Sequence, residues 1–231
     1  MNSENPDRAQ VVEDAITSRR SVRRYLETPV PDDLIRQLLR VAGRAPSGSN
    51  IQPWHVYVLK GARKQALTDA LLKAVEAGPA PYAREYNYYP LEFTEPYLAR
   101  RRACGWGLYG ALGIERHEKD RMAEQHARNY SFFDAPVGMI FTIDNFLQPG
   151  SWLDYGMFLQ SIMVAARGHG LHTCAQAAFA NYHKTVREQL DVPMRRIIVC
   201  GMSLGYADPD APENAFTPER EPVETYATFL D

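Results

Sequence analysis

Helix-rich and strand-poor, the sequence fits an α+β domain. Apolar residues recur at helical spacing over most of the 231 positions, whereas β-branched or wholly apolar runs of strand length are few and short. No internal repeat, low-complexity block or composition break divides the chain, so residues 1–231 are expected to form one domain with a Tyr/Pro-rich excursion at about 79–98.

The elements follow in order. Val11, Val12, Ala15 and Ile16 predict a helix over about 10–18 that delivers four arginines, at 19, 20, 23 and 24, just beyond its C-terminal end. Cations there suit the negative end of the helix dipole. Pro31, Asp32 and Asp33 open a second helix, whose buried stripe is Leu34, Ile35, Leu38, Leu39, Val41 and Ala42 and which Gly43 ends. A polar loop, 46–53, leads to a strand over 55–60, and Ala62 to Ala77 forms the next helix. Prolines 79, 81, 90 and 96 alternate with six aromatic residues between Tyr82 and Tyr97, which suits either a pocket wall or a surface covering a neighbouring subunit. Helix returns over 97–129, interrupted near Gly105, Gly107, Gly110 and Gly113.

Val137–Ile143 reads as a buried strand. The helix over 151–167 is apolar on most sides, as a core or subunit interface requires. Gly168 and Gly170 mark a turn, Asn181 is expected to cap a short helix to Leu190, and Arg196–Cys200 is a strand running into 201–206. The proline-rich stretch 208–222 is irregular, and 223–230 is a possible final strand.

Composition narrows the function classes. A net charge of −2 gives no support to nucleic-acid binding. No apolar run approaches membrane-spanning length and the N-terminal decapeptide is too polar for a secretion signal, so a cytoplasmic protein without membrane association is expected. Cys104, Cys174 and Cys200, odd in number and widely spaced, agree with reduced thiols. His169, His172 and Cys174 match no standard zinc spacing, and no metal is expected.

Two clusters carry chemistry. Arg19-Arg20-Ser21-Val22-Arg23 offers planar donors and a hydroxyl suited to phosphate, although a basic run alone can be a solvated face. Pro46-Ser47-Gly48-Ser49-Asn50-Ile51-Gln52-Pro53-Trp54 offers donors and acceptors suited to a heterocycle edge, although such a turn can also satisfy only its own backbone. Together they suit a ligand with a phosphate at one end and a polar ring at the other, such as a nucleotide or flavin mononucleotide. No nucleophile is held beside a base, so no catalytic side chain is expected.

These motifs resemble the FMN-dependent nitroreductase family. The likeness extends to Gly170-Leu171 with Gln176-Ala177-Ala178, to Gly201-Met-Ser-Leu-Gly-Tyr-Ala-Asp208 and to Arg220-Glu-Pro-Val223, thus nearly the whole chain, and is nearest to the branch that includes nitrobenzoate reductases. The resemblance implies a central, mostly antiparallel sheet surrounded by helices in an intertwined homodimer with two FMN sites at the interface. It implies that Arg19 and Ser21 hold the FMN phosphate, with Arg20 beside them and Arg220 as a late basic ligand, where Pro218 stands at the position of a lysine found in some members. Arg23 would lie by the pyrimidine edge of the flavin, Pro46, Ser47, Asn50 and Gln52 would form a second FMN loop with early residues from the partner, and Gln176 and Ala177 would lie over the N5 and O4 edge.

The implied reaction is a ping-pong hydride transfer in which NADH or NADPH reduces FMN and a small aromatic nitro compound, such as a nitrobenzoate, is reduced in turn. Arg100, Arg101 or Arg102 would then meet a benzoate carboxylate, and the 223–230 strand would cross to the partner. Reductive dehalogenation, quinone or C=C reduction on the same scaffold are the alternative enzyme activities, and FMN storage or delivery is the alternative without catalysis.

Overall fold

The computed structural model describes residues 6–230; Met1–Asn5, on which part of the N-terminal expectation rests, and Asp231 lie outside them. Four strands, β1 (His55–Leu59), β2 (Val137–Asp144), β3 (His172–Gln176) and β4 (Arg196–Gly205), form one sheet in the order β1-β2-β4-β3. Every ladder in it is antiparallel. Alternation along β2 and β4 sends side chains to both faces, and both faces are covered, which is why these two strands read as continuous apolar runs.

One face packs against α2 (Asp32–Ala42) and α6 (Pro149–Gly168), around Leu38, Phe141, Tyr155, Phe158 and Ile162. The Tyr155 hydroxyl donates to the carbonyls of His55 and Thr142, at 3.2 and 3.1 Å. The other face packs against α3 (Gly61–Glu76), α7 (His183–Leu190) and the turns at 128–134 and 177–182, around Leu67, Leu71, Tyr130, Phe132 and Phe179. Phe132, Phe133 and Asp134 all have positive φ, of 57°, 53° and 65°. Left-handed backbone costs roughly 1–2 kcal/mol per residue, and burying each phenyl ring contributes about 2–3 kcal/mol against it. The strained turn also aims Asp134 at two arginines, Arg24 and Arg128.

Several boundaries differ from the sequence expectations. α1 (Pro6–Thr17) starts earlier, and its apolar residues Val11, Val12 and Ile16 face outward in the single chain. The helix expected over 97–129 is two, α4 (Tyr97–Ala111) and α5 (Lys119–Ala127), separated where Gly113 adopts φ +61°. Gly107 does not interrupt α4; a Cβ there would lie 2.2 Å from the Phe216 ring, so the glycine admits that ring. Asn181 is not the cap of α7, since it sits inside the preceding turn and Tyr182 occupies the cap position. The Gly170 turn is followed by β3, which lacks the β-branched density that marks a strand. The expected C-terminal strand is absent from the described residues: after the single turns α8 (Pro212–Ala215) and α9 (Val223–Tyr226) the chain is extended and unpaired, leaving Phe229 and Leu230 exposed.

The excursion at 79–98 is strapped to the sheet. β3 pairs only with 201–205 of β4, leaving the neighbouring edge of β4 short of partners. Glu85 accepts from the Ile198 N–H at 3.0 Å while pairing with Arg187 at 2.5 Å, and the Tyr86 hydroxyl donates to the Val199 carbonyl. No helix among the described residues is long and apolar enough to cross a membrane.

Candidate cofactor-binding site

Leaving α1, the chain runs extended beside the start of β3. Ser21 forms a parallel bridge to Thr173, the Val22 N–H donates to the Thr173 carbonyl at 3.2 Å, and Tyr25 bridges Ala207. Val22 and Tyr25 point into the core, the latter with its hydroxyl 2.8 Å from Ser203 Oγ. Burying these two anchors turns Arg19, Arg20, Ser21 and Arg23 toward a pocket of about 100 Å³, whose remaining walls are Cys104, Phe216, Thr217, Pro218 and Arg220. The structure thus joins the N-terminal arginines to the late arginine, from opposite ends of the chain.

Among the described residues no acidic side chain lines this pocket. Burial lowers the pKa of Arg19, and the nearby Arg220 charge lowers it further. Guanidinium groups crowded together without a counter-charge repel one another in the apoprotein and favour an anion with several acceptor oxygens. Arg23 is steadied by donating to the Ser21 carbonyl at 3.2 Å, and Arg220 donates to the carbonyls of Pro218 and Glu219. Cys174, below the pocket, is buried and its thiol is pushed up by desolvation, which keeps it protonated and unreactive at neutral pH.

The 46–54 loop lies elsewhere on the single chain, and none of its residues lines the arginine pocket. Pro53, which is buried, and Trp54, which is half-buried and stacked on Phe158 at 4.6 Å, tie its end to α6, and Asp154 accepts from the Gly48 N–H at 3.0 Å. Ser47 Oγ accepts from the Gln52 N–H, and Gln52 donates to the Asn50 carbonyl, so part of the loop does satisfy its own backbone. Ser49, Asn50 and Gln52 nevertheless hold positive φ, near 50°, and stay exposed with Pro46. Backbone strain in an exposed polar loop is the kind that a binding function retains.

Gln176 and Ala177 lie where β3 ends. Gln176 is 2 % exposed; its Nε2 donates to the Asn129 carbonyl at 2.7 Å, while its Oε1 has no partner among the described residues. Ala177 lines a pocket of about 220 Å³ with Tyr86, Tyr88, Trp152, Leu159 and Val199. The excursion therefore does supply a pocket wall, through Tyr86 and Tyr88. Trp152, Leu159 and Asn129 were not singled out from the sequence, and only the apolar character of α6 hinted at the first two. None of Arg100, Arg101 and Arg102 lines either pocket; Arg100 pairs with Glu221 at 2.7 Å and Arg101 sits over the Phe93 ring.

His172 opens β3 within reach of Arg167, whose Nη1 is 2.9 Å from His172 Nε2. Burial, then Arg167 and Arg20, pull its pKa from 6.5 down to about 4. Folding thus holds the imidazole neutral, so its contribution is complete above pH 6.5 and is lost as pH falls toward 4. After discounting for solvent screening, the loss amounts to at most about 2 kcal/mol. His172→Asn is expected to flatten the fall in urea midpoint between pH 7 and pH 4.5; an unchanged slope would assign the acid sensitivity elsewhere.

The sequence model described as "Nitroreductase family" matches residues 16–206. The chain is 46% identical over 218 residues to a 4-nitrobenzoate reductase of Nocardioides sp., covering 93% of this chain and 88% of that one. It is 39% identical over 219 residues to a nitrobenzene nitroreductase of Ectopseudomonas oleovorans, covering 95% and 96%. The crystal structure of the FMN-dependent nitroreductase NfnB of Mycobacterium smegmatis, in complex with NADPH, superposes with a TM-score of 0.92 at 34% identity, covering 97% of this chain and all of that one.

Proposed function

The chain belongs to the nitroreductase family, and on that premise we propose that it is an FMN-dependent oxidoreductase that uses NADPH or NADH to reduce nitroaromatic compounds. The observation that carries the reading is the arginine pocket, with Arg19, Arg20, Ser21, Arg23 and Arg220 converging and no carboxylate among them. That donor set fits a phosphate monoester, and the unpartnered Oε1 of buried Gln176 fits a ligand with hydrogen-bond donors at its ring edge. When bound there, FMN supplies the two-electron chemistry that links the nicotinamide to the nitro group.

The side chains bind and orient. Arg19, Arg20, Ser21 and Arg220 anchor the phosphate, Arg23 places positive charge by the pyrimidine edge, and Gln176 with Ala177 meets the opposite edge of the ring. Pro46, Ser47, Asn50 and Gln52 form the second FMN loop, in which Asn50 meets the flavin ring and the early residues come from a second copy of the chain. The homodimer reading is supported by that exposed, strained loop, by the outward Leu153 and Met157 of α6, and by the bare C-terminal Phe229 and Leu230. Residues 1–231 act as one FMN-binding domain, and free Cys104, Cys174 and Cys200 agree with a cytoplasmic setting.

Tyr86, Tyr88, Trp152 and Leu159 form an aromatic and aliphatic pocket without a basic side chain, which excludes water and recognises the ring of a nitroarene more than any carboxylate on it. An anaerobic stopped-flow experiment tests the proposal. NADPH or NADH should bleach the bound flavin, and nitrobenzene or 4-nitrobenzoate should restore its absorbance; no bleaching by either nicotinamide would sink the reductase reading.

A further inference from the structure

The single turn α8 carries two adjacent buried polar residues, Glu213 and Asn214, exposed by only 4 % and 3 %. A primary carboxamide combines acceptor and donor functions in one short side chain, and Asn214 uses both. Its Oδ1 accepts from the Arg23 N–H at 2.8 Å, and its Nδ2 donates to the carbonyls of Arg24 at 2.8 Å and Asp208 at 2.9 Å. Glu213 pairs with Arg128 at 2.6 Å, Arg128 with Asp134 at 3.2 Å, and Asp134 with the Arg24 guanidinium at 2.6 Å. The contacts close a ring that starts and ends on Arg23–Arg24. Four residues of the pocket wall, Phe216, Thr217, Pro218 and Arg220, follow directly after α8.

We propose that Asn214 is a positioning residue for the cofactor: by holding the Arg23–Arg24 backbone against α8, it registers the N-terminal arginines with the C-terminal pocket wall and sets where the Arg23 guanidinium meets the flavin. The proposal rests on the assignment of Arg23 to the flavin made above. Nothing in the sequence alone points to Asn214, because its three partners lie 6, 190 and 191 residues away. A purely structural asparagine would lower stability without altering the electronic environment of the bound cofactor, and this contrast separates the two roles.

The test uses FMN-reconstituted wild type, Asn214→Ala, Arg23→Ala and the double variant, with the flavin reduction potential and the FMN Kd as readouts. Asn214→Ala should weaken FMN binding about tenfold, the equivalent of a buried hydrogen-bond set lost, and should lower the potential. In the Arg23→Ala background the same substitution should leave the potential unchanged, since the group it positions is gone. Asn214→Ser, which keeps one polar group and leaves room for water, should restore part of the potential and provides the measurement if Asn214→Ala does not fold. A wild-type potential in Asn214→Ala, or in Asn214→Ser where the alanine variant does not fold, beside a shifted one in Arg23→Ala would overturn the proposal and leave the Arg23 assignment standing. Equal shifts from Asn214→Ala with and without Arg23 would overturn it likewise. A wild-type potential in Arg23→Ala would overturn the assignment and the proposal together.

Discussion

Arg19→Ala is expected to release most of the FMN during purification, with a Kd raised roughly 30- to 150-fold, because a charge-assisted hydrogen bond to phosphate contributes about 2–3 kcal/mol in a half-buried site. Arg19 is held partly out of water, close to Arg220 and with no acidic side chain among the described residues lining the pocket, so its charge is disfavoured until an anion arrives. Removing it should leave the thermal midpoint of the flavin-free protein unchanged or slightly raised, while that of the FMN-loaded protein falls. A loss of stability in both forms would mean that Arg19 holds the fold instead of the cofactor.

Arg23→Ala is expected to lower the flavin reduction potential by about 40 mV, equivalent to about 2 kcal/mol for a two-electron couple, because a nearby guanidinium stabilises the negative charge gained on reduction. Arg23 stands apart from the anchoring arginines in its backbone, which Asn214 holds. Its loss should therefore show in the potential more than in retention of the cofactor. Spectroelectrochemical titration of both proteins measures the difference, and equal potentials would remove Arg23 from the tuning role.

What could be read from the sequence is what short stretches encode. Val137–Ile143 announced a central strand because both of its faces are buried, and the helix over 151–167 announced its apolar surfaces in the same way. The arginine cluster and the polar loop stood out as local concentrations of donors. β3 escaped because His172-Thr-Cys-Ala-Gln owes its extended form to pairing with β4, not to its own propensity. Residues 223–230 read as a C-terminal strand, yet among the described residues that stretch pairs with no strand, and Val223–Tyr226 closes a helical turn instead.

The site shows the same division. Arg19 and Arg220 could each be suspected from motifs, but their convergence on one pocket is set by long-range packing, as is the entry of Phe216 into the space that Gly107 leaves. Asn129 beside Gln176, Trp152 beside Tyr86 and Asn214 beside Arg23 are contacts across 47, 66 and 191 residues, where no sequence period operates.

The central claim is that the arginine pocket is the phosphate end of an FMN site. Titrating the apoprotein of the wild type and of Arg19→Ala with FMN and with riboflavin, followed by flavin fluorescence, tests it most directly. The wild type should bind FMN at least about 100-fold more tightly than riboflavin, and Arg19→Ala should lose most of that preference while binding riboflavin as the wild type does. Equal affinities of the wild type for the two flavins would contradict the claim.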